Sequence, residues 1–220
     1  MIRIFCFTFN PFSENTYLLA DETGEAVIID PGMSNSGEEK ELADTIAREK
    51  LRPVKLLNTH CHIDHILGNA YCAGRYALEL HMHSLDQPTL DRGEQSAMLF
   101  GVNYTPYTGK KKYIEEGDII SFGNSTIRIV FVPGHAPGHV AFISDEQKFV
   151  IGGDVLFRGS VGRVDLPGCV PEDLVQSIRT KMYKLPEDYV VYPGHGPETT
   201  IGEEKQNNPF VRETTQQLIP

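Results

Sequence analysis

Apolar and polar positions in the first thirty residues predict three strands. Residues 2–9 (IRIFCFTF), 15–20 (NTYLLA) and 25–30 (EAVIID) are rich in β-branched and aromatic side chains, with Asp21 and Gly24 as turn punctuation. The third run stops at Asp30-Pro31-Gly32, where proline removes a donor and glycine permits a tight turn. Ser36 followed by Glu39 reads as a capping box, opening a helix of about 13 residues with Leu42, Ala43, Ile46 and Ala47 on one face. Pro53 marks its exit, and VKLLNT (54–59) is a short apolar strand. A helix over 66–77 and a strand at LELHMH (78–83) follow. Residues 84–114 show the least regular pattern and read as a surface excursion or a flap, with Tyr104, Tyr107 and Lys110–Lys112 suited to an anion.

The strand period then returns in DIISF (118–122), TIRIVFVP (126–133), VAFIS (140–144) and FVIGGD (149–154). A helix starting near Pro171 carries Leu174, Ile178, Met182 and Leu185 at close to helical spacing. The strand YVVYP (189–193) and a polar pair of helices end the chain. Two successive βα-rich halves predict an α/β protein, a four-layer αββα sandwich, as one domain over residues 1–220.

Composition narrows the function more than the fold. With 40% apolar and 23% charged residues in 220, the chain is an ordinary globular protein. A net charge of −10 excludes non-specific nucleic-acid binding, which needs a basic face. No run reaches the roughly 20 apolar residues of a membrane span, and the N-terminus has no cleavage-site pattern. Cys6, Cys61, Cys72 and Cys169 follow no metal or disulfide spacing, so free thiols in the cytoplasm are expected. The pattern is silent on oligomeric state.

The chemistry concentrates at strand ends. HCHIDH (60–65) holds three of the eight histidines, directly after a strand. His135, Asp154 and His195 each follow a strand too, and loops at the carboxyl ends of strands converge on one edge in α/β architectures. His60 and His62, two apart, project to one side, and His135 completes a three-nitrogen set that suits zinc with an open position. Asp64, His65 and His195 form a second set, and the Asp154 carboxylate is able to bridge two cations. His139 and Asp30 are candidates to orient ligands by hydrogen bonds. Cys61 should point away from its histidine neighbours into the interior, and His81 and His83 lack an acidic companion.

The set His60, His62, Asp64, His65, His135, Asp154, His195 resembles the HxHxDH, His, Asp, His motif of the metallo-β-lactamase superfamily, and IIDPG resembles its first motif. Within it, ENTYLL, PGHAPGHV, GGDVLFRGSVGR and EEKQNNPF are similar to the glyoxalase II (hydroxyacylglutathione hydrolase) group. The match is with its short bacterial members, which lack the C-terminal helical domain that supplies basic residues for the glutathione carboxylates. The resemblance implies the αββα fold, two divalent metals (zinc first, iron or manganese next) and hydrolysis of a small thioester such as S-D-lactoylglutathione by a metal-bridging hydroxide. It implies Asp64 as both ligand and catalytic group, and Arg163 as a substrate contact. Rival readings are a mononuclear-iron persulfide dioxygenase, a hydrolase of another ester or lactone, and a fold that has lost its chemistry.

Overall fold

The computed structural model describes residues 1–211. They fall into two compact units, residues 1–114 with 120–126, and residues 115–119 with 127 onward.

In the first unit, β1 (Arg3–Phe9), β2 (Glu14–Ala20) and β3 (Glu25–Ile29) form an antiparallel meander. Helix α1 (Ser36–Arg48) then crosses to β4 (Arg52–Leu57), which pairs parallel with β3. Helices α2 (Ile63–Ile66) and α3 (Asn69–Tyr76) lead to β5 (Leu80–Met82). After α4 (Gln87–Asp91) and α5 (Gly93–Phe100), β6 (Lys111–Tyr113) closes a six-stranded sheet in sequential order. Its core joins Leu18, Ile28 and Leu56 of the strands to Leu42 and Ile46 of α1 and Ile66 of α2.

Several expectations shift here. Asn35, not Ser36, caps α1, its Oδ1 accepting from the amides of Gly37 and Glu38, and Ala47 is exposed while Thr45 is buried. Pro53 stands inside β4 rather than before it, at the register shift between Ala26 and Val27, where a missing donor is tolerated. The helix expected over 66–77 is two short ones separated by Gly68. The first half of the excursion 84–114 is helical, in pieces too short for periodicity to register, whereas residues 101–110 are irregular as expected.

The second sheet is built from β7 (Ile119–Phe122), β8 (Ser125–Phe131), β9 (Val140–Ser144) and β10 (Phe149–Gly153), of which residues 120–122 and 125–126 belong to the first unit and the rest to the second. A small hairpin, β11 (Leu156–Phe157) with β12 (Ser160–Val161), precedes α6 (Pro171–Thr180). Then come β13 (Val190–Pro193), β14 (Thr199–Thr200) and α7 (Ile201–Asn207). The sheet order is β14-β13-β10-β9-β8-β7, with β13 parallel to β10 across the α6 crossover. Leu174, Ile178, Met182 and Leu185 are all buried, as their spacing predicts, against Val150 and Val191. The hairpin and β14 carry too few residues for a sequence pattern. Of the expected C-terminal helix pair, α7 is the first, and the second lies outside the described residues.

Candidate metal centre

In the first unit the ligand candidates gather where β3 and β4 end. Asp30, the residue after β3, has φ +50°, a left-handed conformation that aspartate tolerates. Its Oδ1 accepts from the Thr59 amide at 2.7 Å and from Asn58 Nδ2 at 3.3 Å. Its Oδ2 accepts from the Thr59 hydroxyl at 2.6 Å and from His65 Nδ1 at 3.2 Å. Thr59 Oγ1 lies 3.0 Å from His60 Nδ1 and, having given its own proton to Asp30, accepts the ring N–H. One buried carboxylate therefore fixes both His60 and His65 with the proton on Nδ1 and the Nε2 lone pair outward, the arrangement a metal ligand needs. Four donors occupy the Asp30 oxygens, which places this carboxylate behind the His60 and His65 rings.

The rings crowd together. The His60 centroid is 4.1 Å from that of His65 and 4.8 Å from that of His62, and His65 Nε2 is 3.7 Å from Asp64 Oδ2. His62 stands at the cap position of α2, so Asp64 and His65 fall in a single helical turn just beyond it. Asn10, itself at φ +52°, donates from Nδ2 to the carbonyls of Asp64 at 3.0 Å and Gly32 at 2.9 Å, tying that turn down. Cys61 points inward, with Sγ 3.9 Å from Met82 Sδ. Burial, reinforced by the Asp86 charge, pushes its thiol well above the ordinary range. The Cys61 amide donates to Asp86 at 2.6 Å, pinning the backbone between His60 and His62.

Asn10, Asp86 and Glu14 were not singled out from the sequence. Glu14 is fully buried at the start of β2, with Oε2 accepting from the Thr16 hydroxyl at 3.0 Å and Oε1 3.8 Å from His65 Nδ1. Burial drives its carboxyl well above the usual value, against the opposing pull of His65. The one available signal was an acid heading a strand buried on both faces.

The second unit brings His135, Asp154 and His195 together. His135 Nδ1 donates to the Arg163 carbonyl at 2.7 Å, which directs Nε2 toward Asp154 Oδ2, 3.5 Å away. His195 Nε2 is also 3.5 Å from that oxygen. The Asp154 amide donates to His139 Nε2 at 3.0 Å, so His139 holds the backbone that carries the carboxylate. Gly162 permits a close approach, since a Cβ there would lie 1.9 Å from the Asp154 carbonyl oxygen. The Arg163 guanidinium is exposed and forms a two-point pair with Asp165 at 2.7 and 2.8 Å, holding that carboxyl down at about 2. Its carbonyl, rather than its charge, touches His135.

This donor set fits a metal. With its N–H given to Arg163, His135 presents a lone pair to a carboxylate oxygen, and two such like-poled groups face each other stably only across a cation or proton. Imidazole nitrogen and carboxylate oxygen suit zinc, iron and manganese alike.

The family model for the metallo-β-lactamase superfamily matches residues 9–195. The chain belongs to the metallo-β-lactamase superfamily. Over 202 residues it is 36% identical to hydroxyacylglutathione hydrolase GloC of Haemophilus influenzae, covering 91% of this chain and 93% of that protein. Among solved structures, TTHA1623 in a di-iron-bound form superposes with TM-score 0.84 at 38% identity, covering 93% of this chain and 98% of that one. The B3 metallo-β-lactamase BLEG-1 also gives 0.84, at 33% identity over 95% and 99%. The metallo-β-lactamase fold, α/β with two main sheets flanked by helices, is thus the fold of this chain. The superfamily motif accounts for why histidines and carboxylates stand at four separate strand ends.

Proposed function

We propose that His60, His62, Asp64, His65, His135, Asp154 and His195 bind two divalent metals, and that the chain hydrolyses a small thioester of the S-D-lactoylglutathione class. The observation that carries this reading is the aim of His135 and His195 at one oxygen of Asp154, a carboxylate placed as a shared donor. The substrate class is supported by the likeness to GloC over nine-tenths of both chains. Zinc is the first choice of metal, and the di-iron form of TTHA1623 supports iron as the alternative.

Bound metals of this kind lower the pKa of water from 15.7 toward about 7 and polarise a carbonyl oxygen, supplying a nucleophile and a Lewis acid at neutral pH. The protein's part is to hold the ligands and handle the proton. Asp30 and Thr59 keep His60 and His65 in one tautomer, while the Arg163 carbonyl does so for His135. Asp64, held through its backbone by Asn10, accepts the proton that the attacking water gives up. The departing thiolate is stable enough to leave with little protonation, so no second acid is required. Arg163 is the proposed contact for a carboxylate on the thiol carrier. Its guanidinium already holds a carboxylate in Asp165, and a substrate carboxylate would take that place.

The test is a comparison of substrates on metal-loaded protein at equal concentration: S-D-lactoylglutathione, a lactone, a β-lactam and glutathione persulfide with oxygen uptake followed. The reading predicts that the thioester is turned over far faster than the others. Oxygen uptake on the persulfide, or preference for the lactone, would overturn it.

A further inference from the structure

The residues 156–163 touch every ligand of the second unit. Phe157 sets its ring edge-on to His195, with centroids 6.1 Å apart. Gly162 packs beneath Asp154 and His135, where a Cβ would lie 1.9 Å from the Asp154 carbonyl oxygen and 3.0 Å from His135 Nδ1. The carbonyl of Arg163 receives the His135 N–H. This segment is a splint for the three ligands. Yet most of it is a hairpin of two residues per strand, pairing Leu156 with Val161 and Phe157 with Ser160. Such a hairpin does not hold its own shape in water.

Something else must hold it, and the structure shows what. Glu204, on α7, is buried to 1% exposure, and its Oε2 accepts from the Gly159 amide at the hairpin turn at 2.9 Å. Asn208, wholly buried just beyond α7, donates from Nδ2 to the Ser160 carbonyl at 3.0 Å and to Glu204 Oε2 at 2.7 Å. The pair is itself braced. Thr199 Oγ1 donates to Glu204 Oε1 at 2.5 Å, and the Asn208 Oδ1 accepts the amides of Phe210 at 3.0 Å and Val211 at 3.3 Å. A buried carboxylate is a costly way to fasten a surface helix, since apolar packing does that as well or better. What it adds is a fixed position for a backbone amide.

We propose that Glu204 and Asn208 are positioning residues of the metal centre. They hold the β11–β12 hairpin in register so that Phe157, Gly162 and the Arg163 carbonyl keep His195, Asp154 and His135 in ligating geometry. The proposal rests on the reading of those three residues as metal ligands, and not on any substrate.

The test is zinc affinity of the metal-stripped full chain, measured by competition with a chromogenic chelator, alongside the melting temperature of the metal-free form. Asn208→Ala and Glu204→Met each remove a hairpin contact, the methionine keeping the length of the side chain without an oxygen to accept from Gly159. Tyr183→Phe is the control, because the Tyr183 hydroxyl donates to the Glu204 carbonyl at 2.9 Å and so braces α7 by a bond in which the hairpin has no part. The expected result is a loss of zinc affinity on the order of 10–100-fold for the two hairpin variants, the scale for groups that orient metal ligands. Tyr183→Phe should lower the melting temperature and leave zinc affinity unchanged. Three variants that melt earlier but bind zinc as tightly as the parent would overturn the proposal. A parent that binds no zinc would instead overturn the metal reading itself, and this inference with it. Should Asn208→Ala fail to fold, Glu204→Met carries the test alone.

Discussion

At the scale of single residues, the account turns on which groups touch a metal and which hold those that do. Asp154→Asn keeps the shape and removes the charge that two imidazoles face. It should lower kcat/KM at least about 100-fold, about 2.7 kcal/mol of transition-state stabilisation, and reduce the metal retained after dialysis. Asp64→Asn should cost both metal affinity and rate, and a variant with full activity would refute its proton-accepting role. Asp30→Ala leaves four donors behind, from Asn58, Thr59 and His65, in a buried space. It should weaken metal binding by roughly 10–100-fold with every direct ligand still present. Unchanged zinc retention in that variant would contradict the role given to Asp30. The candidate ligands stood out in the sequence because four strand ends each offered a histidine or carboxylate. Asn10, Asp86 and the Glu204–Asn208 pair were not. Each acts through hydrogen bonds to backbone distant in the chain, and sequence order alone gives no hint of those neighbours.

At the scale of elements, the turn after β2 offers a measurable electrostatic signature. Asp21 accepts from the Ser125 hydroxyl at 2.5 Å and from the amides of Thr23 at 2.9 Å and Asn124 at 3.2 Å, all within the first unit. Desolvation pushes its carboxyl up, but these hydrogen bonds outweigh it and hold the group well below 3.8. A carboxyl lowered in the folded state stabilises fully above its unfolded pKa, near 3.9. That contribution is lost as pH falls through the folded value. Asp21→Asn should therefore destabilise the chain by about 1.5 kcal/mol at neutral pH, with the gap closing steadily below about pH 4. Urea midpoints across pH would show it, and a gap that ignores pH would contradict the assignment. Elements with a long, regular pattern were legible: β2, α1 and α6 formed close to where periodicity put them. Those that escaped, α4, α5, the β11–β12 hairpin and β14, are short pieces whose conformation is decided by neighbours. Asn35 rather than Ser36 caps α1 for a similar reason, since both residues offer a suitable oxygen and only backbone geometry selects between them.

At the scale of the whole molecule, each unit has a hydrophobic cluster of its own. No helix among the described residues is long and apolar enough to cross a membrane. Metal binds the folded state and so adds to stability by mass action, by about 4.1 kcal/mol when free metal stands at 1,000 times Kd. Chelation should lower the melting temperature without abolishing the cooperative transition, and calorimetry with and without chelator would check this. The measurement that tests the central claim most directly is S-D-lactoylglutathione hydrolysis by chelator-stripped protein as zinc is returned in measured equivalents. The account predicts a rate that climbs to a plateau at two zinc ions per chain, and no comparable rise for Asp154→Asn. A plateau at one equivalent, or two bound zinc ions with no thioester turnover, would contradict it.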